Sequence, residues 1–270
     1  MMTENQTQQT VTLVDSHCHL DYDYEGKDTA QLISDAKSAG VRWLVTIATE
    51  SGNLEKVREI SEKHPSVFHT VGIHPHEASE VDDQLLLRME KMATHPRCRA
   101  IGEIGLDYYY DHSPRDIQIE AFEKQLEVAL KTSQPVVIHT RDAEKDTFDL
   151  LNRYVKRCKL TIPGAIHCFT GTTDFGKQCI DLGFFISFSG IVTFKKSREL
   201  QDSAKAFPLQ KLMVETDSPF LAPEPKRGRK CEPSMVRHTA EKLAELRQTS
   251  LEEIARVTTA NAVAFFRIDD

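Results

Sequence analysis

Eight short runs rich in valine, isoleucine, leucine and phenylalanine recur along the chain, each followed by a polar turn and a segment of helical periodicity. The runs occupy residues 11–17, 41–48, 67–74, 99–106, 135–140, 164–169, 184–190 and 211–217. Helical segments lie at 29–39, 53–63, 82–94, 116–131, 143–157, 174–182 and 197–207, and two more, 234–248 and 251–266, follow the last run. In 116–131, for example, Ile119, Phe122, Leu126 and Ala129 make a one-sided apolar stripe. Short apolar strands alternating with amphipathic helices indicate a parallel sheet covered by helices. Eight such units predict a closed (β/α)8 TIM barrel, a fold that takes about 250 residues. The 270 residues, 40% of them hydrophobic, suit one such domain over 11–270, preceded by a polar tail at 1–10. An open doubly wound sheet is the structural alternative, but it would expose its site at one switch point.

Potentially reactive side chains cluster at the same end of these runs. His17 and His19, His74 and His76, Glu103, His139, His167, Ser187 and Ser189, and Glu215 and Asp217 all fall late in a run or just past it. Only the second run, with Thr49 and Glu50 just past it, brings little chemistry. In a parallel barrel those ends form a single rim. Any one of these histidines, taken alone, would be read as a satisfied core residue or a chance surface pair. Five strands delivering imidazoles and carboxylates to one rim make a metal site the better account, and the mixture suits divalent first-row ions.

His17 and His19 have the spacing that puts two imidazoles on one face of a strand, with Asp15 two residues earlier. Glu103 stands between Gly102 and Gly105, where small neighbours admit an ion or substrate to the backbone, and its carboxylate could join two metals. Asp217 shares parity with Glu215; one can hold a metal and orient its water, leaving the other a structural task. Asp107 and Arg141 follow ligand candidates closely. Arg141 could clamp a phosphate, brace Glu103 or Asp107, or make a plain salt bridge.

Other features narrow the class by exclusion. No stretch is long and apolar enough to span a bilayer, and the first ten residues lack the basic and apolar regions of a leader. The Asn5-Gln6-Thr7 sequon then carries no meaning. Six cysteines without a CxxC pair read as free thiols in a cytoplasmic protein, and strand alternation turns Cys18 and Cys168 away from the neighbouring histidines. The net charge of −7 argues against a protein that coats nucleic acid. Residues 171–177 match most of a phosphate-binding loop, but Gln178 stands where Ser or Thr must hold magnesium, so no nucleotide cofactor is expected. Thr172, Thr173 and Asp174 read instead as a helix start. No coiled-coil pattern or exposed apolar stripe stands out, which leaves a monomer as the expected state.

The blocks 15–20, 72–76, 102–108, 138–141, 167–171 and 215–219 together resemble the TatD family of metal-dependent deoxyribonucleases, from about Leu13 to the C-terminus. The resemblance implies a barrel with two divalent ions. It assigns His17, His19 and Asp217 to one, His139 and His167 to the other, and Glu103 to both, and places His74 near the substrate phosphate. Family members usually carry a basic, glycine-containing loop with Asn-Glu-Pro after the last strand. Here 226–233 puts Cys231 in place of that asparagine, so its hydrogen bonds must be lost or supplied otherwise. Related hydrolases that bridge their metals with a carbamylated lysine place it on the fourth strand, where this chain has Glu103.

The leading expectation is two-metal phosphodiester hydrolysis, with Asp217 orienting water, Glu103 joining the ions, and His74, Arg141, Arg227 and Arg229 holding substrate. The resemblance implies an exonuclease on single-stranded DNA ends using Mg²⁺ or Mn²⁺, and histidine-rich coordination also admits Zn²⁺. The same centre could hydrolyse an ester, an amide or an aminoacyl-RNA bond. A non-catalytic metal-binding barrel ranks last, because ligand types stand at all six positions.

Overall fold

The computed structural model describes residues 11–269; the tail at 1–10, the sequon and Asp270 lie outside the described residues. Eight parallel strands follow in chain order around one sheet: β1 (Leu13–Cys18), β2 (Val41–Thr46), β3 (Val67–Val71), β4 (Cys98–Asp107), β5 (Val136–Arg141), β6 (Gly164–Ile166), β7 (Phe185–Phe188) and β8 (Leu212–Val214). The ring closes beyond β8, where the Asp217 amide donates to the His17 carbonyl (2.9 Å) and the His19 amide to the Ser218 carbonyl (2.8 Å). Asp15 clamps the same seam, accepting from the Thr216 amide at 2.9 Å and its hydroxyl at 2.6 Å. Burial pushes the Asp15 carboxyl up to about 8, although these hydrogen bonds favour its charged form.

The helices are α1 (Thr29–Ser38), α2 (Leu54–Lys63), α3 (Asp83–Met92), α4 (Arg115–Thr132), α5 (Glu144–Val155), α6 (Thr173–Asp181), α7 (Arg198–Ala206), α8 (Val236–Arg247) and α9 (Leu251–Phe266). Side chains one residue before the helix hold the first-turn amides at four of them: Asp28, Asp82, Thr172 and Ser250. Thr172 therefore caps α6, as the helix-start reading of that segment expects. Of the stripe on α4, Phe122, Leu126 and Ala129 are buried and Ile119 half-buried; Gln118 and Gln125 are buried beside them.

Two apolar layers result. The outer one lies between sheet and helices. The inner one fills the barrel with residues such as Val14, Val45, Phe68, Val137 and Met213, and Phe265 and Phe266 of α9 close its floor. The barrel is thus packed solid below and polar above, which confines chemistry to the strands' C-terminal ends.

At that end five of the eight strands stop sooner than their apolar runs, whereas β1, β4 and β5 run one residue further. β6 and β8 have three residues each, and the chain leaves them through Cys168 (φ 41°) and Asp217 (φ 57°), both in the left-handed region. The register of β1 slips between Asp15 and Cys18, and that of β4 between Ile101 and Ile104. Val14 and Ala100 face inward, so plain alternation would turn His17 and Glu103 outward; the slips turn both into the barrel mouth.

Candidate metal centre

The six expected ligands come together in one place. His17 Nε2 and His19 Nε2 lie 3.7 and 3.4 Å from Asp217 Oδ1. Glu103 divides its two oxygens. Oε2 is 3.3 Å from His17 Nε2, whereas Oε1 is 2.6 Å from His167 Nε2 and 3.0 Å from His139 Nδ1. His17, His19 and Asp217 could hold one cation, and Glu103 with His74 and His139 form a second such group.

A layer behind these atoms orients them. Asp107 Oδ2 sits 3.0 Å from His139 Nε2 and 3.1 Å from His76 Nε2, while its Oδ1 accepts from the Tyr109 and Tyr110 amides. Asp107 thereby fixes the proton on His139 Nε2 and leaves Nδ1 free as a donor to an ion. Glu215 Oε1 accepts from the Cys168 amide at 2.6 Å and stands 3.4 Å from His167 Nδ1, which leaves Nε2 facing Glu103. His74 is arranged the other way round. Its Nδ1 accepts from the His76 amide at 3.1 Å, so Nε2, 3.5 Å from Glu103 Oε1, carries the hydrogen. A ring so committed is a hydrogen-bond donor into the cavity and a poor ligand.

Charge is distributed accordingly in the metal-free protein. Burial alone would neutralise Glu103, yet His167, His74 and His139 hold its carboxyl well below the usual range. Burial likewise opposes the charge on Asp217, but His19 and His17 keep it low. His167, His139 and His19 are pulled up despite their burial, His167 by Glu103, His139 by Asp107 and Glu103, His19 by Asp217. Burial lowers His74, and lowers His17 with help from His167, so these two stay neutral.

The donor set fits divalent cations on its own evidence. Both ring nitrogens of His17, Nδ1 of His19 and of His167, and Oε2 of Glu215 are buried without hydrogen-bond partners. Of these, His17 Nε2 faces Glu103 and Asp217, and a cation there would supply the partner it lacks, where His17, His19 and Asp217 each bring a ligand atom within 4.8 Å of the others.

The ligands open into a cavity of about 510 Å³. Arg141 lines it, but its guanidinium lies 4.0 Å over the Tyr109 ring and braces neither Glu103 nor Asp107. Arg227 and Arg229 stand outside the lining: Arg227 lies 3.9 Å over Phe194, and Lys230 of the same loop donates to the Asp23 carbonyl. Cys231 is buried, and its amide donates to the Pro219 carbonyl at 3.0 Å, tying the loop to the segment that carries Asp217.

Other expectations need correction. Cys18 packs in the outer layer as expected, but Cys168 lines the cavity with Sγ 3.2 Å from Ser189 Oγ, because its left-handed backbone ends the strand's alternation. The second strand is not idle, since Thr49 and Glu50 line the cavity, whereas Ser187 and Ser189 of the seventh run do not. The glycines around Glu103 serve the sheet: a Cβ on Gly105 (φ 144°) would lie 1.9 Å from the His139 carbonyl oxygen. Sequence reasoning missed Asp107 as the brace of His139 and the aromatic residues at the mouth. All six cysteines are free. No helix of the described residues is long and apolar enough to cross a membrane.

An eight-stranded parallel α/β barrel with this donor set at its mouth defines the class of metal-dependent hydrolases. The chain belongs to the TatD related DNase family, whose model matches residues 14–267. It is 40% identical over 261 residues to the uncharacterized metal-dependent hydrolase YcfH of Escherichia coli K12, covering 95% of this chain and 96% of that one. The 3'-5' ssDNA/RNA exonuclease TatD of Erwinia billingiae is 32% identical over 249 residues, covering 90% and 94%. Among solved structures, YjjV, a TatD homolog from E. coli K12, superposes with a TM-score of 0.90 at 26% identity, covering 96% of this chain and all of that one.

Proposed function

We propose that this chain is a two-metal phosphodiesterase that removes nucleotides from single-stranded nucleic-acid ends. The observation that carries the reading is the division of Glu103, one oxygen toward His17 and the other toward His139 and His167. A carboxylate so placed could join two cations, with His17, His19 and Asp217 available to hold one, and His139 and His167 the other. Mg²⁺ and Mn²⁺ suit the carboxylates, and Zn²⁺ the imidazoles. Divalent ions there would supply Lewis acidity toward a phosphoryl oxygen and a water of lowered pKa.

The chain's own groups do the rest. Asp217, anionic and partly open to the cavity, accepts a hydrogen bond from the attacking water and takes its proton. As the water oxygen bonds to phosphorus, the bond from phosphorus to the bridging ester oxygen breaks, and the proton taken up by Asp217 passes to that leaving oxygen. His74, neutral and donating from Nε2, holds a non-bridging phosphoryl oxygen, and Arg141 at the rim adds positive charge. The activity in the name of the Erwinia relative supports a nucleic-acid end as substrate.

The test is release of mononucleotides by the full-length protein, reconstituted with Mg²⁺ or Mn²⁺, from end-labelled single strands, duplexes and a panel of esters. Single strands are expected to be shortened, with His139→Ala slower by roughly 100-fold or more. Ester turnover that depends on His139, without nucleotide release, would instead assign the centre to carbonyl substrates.

A further inference from the structure

Among the described residues folding hides all or part of nearly every large apolar side chain, and the exceptions are not scattered. Among the described residues Tyr22, Leu87, Tyr109, Tyr110 and Phe220 are left exposed. Four of these five are aromatic and stand at the mouth of the metal cavity: Tyr22, Tyr110 and Phe220 line it, and Tyr109 packs against Tyr110.

They form two ledges. Tyr22, after β1, meets Phe220, after β8, at 5.6 Å between ring centroids, and both rings approach His19. Tyr109 and Tyr110, after β4, meet at 4.8 Å; Arg141 lies 4.0 Å over the first, and His76 and His112 edge the second. In a ring of eight strands in sequence order, the loop after β4 faces those after β8 and β1. One ledge therefore adjoins the His17–His19–Asp217 group, and the other adjoins the Asp107–His139 side. A phosphate held between the ligand groups has an aromatic face on either hand.

Clustered exposed aromatic surface marks a binding site. An inorganic phosphate or a simple phosphoester has no use for rings on both sides. A nucleotide strand does, because each base offers a flat π-face and aromatic side chains take up bases without regard to sequence. The cations fit the same occupant: Arg141 stacks on one ledge, and the basic residues 226–230 follow Phe220 in the loop of the other.

We infer that the Tyr22–Phe220 and Tyr109–Tyr110 ledges stack the two bases that flank the scissile phosphate, so the centre accepts only unpaired nucleotides. This rests on the phosphodiesterase reading and adds its specificity-determining residues. A base that is paired within a duplex cannot lie flat on either ledge, so duplex ends must fray before they are cut.

The experiment compares single-stranded oligonucleotides that carry either a base or an abasic residue at the terminal nucleotide or its neighbour. With bases present, Phe220→Ala and Tyr110→Ala are expected to lower kcat/KM by about 5- to 150-fold, mainly through KM. With the matching position abasic, variant and parent are expected to agree within about twofold. On base-bearing strands Phe220→Trp should recover most of what Phe220→Ala loses, which separates lost stacking from lost folding. A second readout is quenching of 2-aminopurine at the end of a strand blocked by a phosphorothioate, bound in Mn²⁺. Equal losses on base-bearing and abasic strands, or none on either, would overturn the ledges and leave the nuclease reading standing. Quenching that the alanine variants abolish, without turnover of any strand, would uphold the ledges and remove the nuclease reading. Neither turnover nor quenching would remove both.

Discussion

Which nitrogen a histidine offers is settled by what holds its other nitrogen, and that distinction separates the imidazoles at this mouth. Asp107 takes the proton-bearing side of His139, whereas a backbone amide takes the bare side of His74. One ring is thereby prepared to bind a cation and the other to donate a hydrogen bond. Removing the brace should weaken metal binding without touching a ligand. Asp107→Ala is expected to lower divalent-ion affinity by about 10- to 100-fold, read by competition with a chromophoric chelator, and Asp107→Asn by less. Unchanged affinity in Asp107→Ala would show that His139 needs no orienting partner. Little of this was legible beforehand. Ligand identities follow from residue type at strand ends, but a tautomer depends on a partner 32 residues away in sequence. Glu103 is a harder case still, since only the register slip in β4 turns it inward.

At the scale of elements, the site is held by polar residues on helix faces that periodicity would assign to the core. Gln125 of α4 closes on both the amide and the carbonyl of Ile73, next to His74. Gln118, two turns earlier, closes on the amide and carbonyl of Asp107. One helix thus fixes two strand exits. A second polar link joins α2 to β3, where Ser61 Oγ lies 2.7 Å from His69 Nδ1. Burial pushes His69 down to about 3. Between pH 6.5 and about 3 the unfolded chain takes a proton at this ring and the folded chain does not. Stability on this account is fully present above pH 6.5 and is lost as pH falls toward 3, by up to about 1.4 kcal/mol per pH unit. His69→Gln, which can keep the bond to Ser61, is expected to flatten the fall of Tm between pH 6.5 and 4. An unaltered slope would place the acid sensitivity elsewhere. The alternation of runs foretold every strand and helix in order. It overstated β6 and β8, because His167 and Asp217 lie beyond the last pairing, and it missed the 3-10 turn Pro75–Glu80, whose start is set by His74 and Pro75 rather than by any apolar period.

For the whole molecule, a solid barrel floor under a polar mouth means that the stability of the mouth depends on what occupies it. Without metal the ligand set balances itself, with Glu103 and Asp217 ionised against the protons held by His19, His139 and His167. Those three imidazoles titrate above their ordinary 6.5. Their contribution is therefore full below that pH and is lost as pH rises through the raised values. A divalent ion needs the same nitrogens bare, so it competes with protons and binds better as they leave. Two opposite trends should follow in one set of melting curves. From pH 6 to 8 the Tm of the metal-free protein is expected to fall, and the gain on adding Mn²⁺ to grow. At 100 times Kd the gain corresponds to about 2.7 kcal/mol, or roughly 5–10 °C for a domain of this size. This window lies above the one in which His69 acts, so the two effects separate on the pH axis. The same competition bears on substrate. With a net charge of −7 the chain has no general attraction for a polyanion, so loading the mouth with cations also supplies the local positive field that a phosphate requires. Binding of the blocked single strand is accordingly expected to rise with pH in step with the Mn²⁺ gain in Tm. A Tm gain equal at pH 6 and 8 would mean that no protons are displaced, and the self-balanced picture of the empty centre would have to be given up.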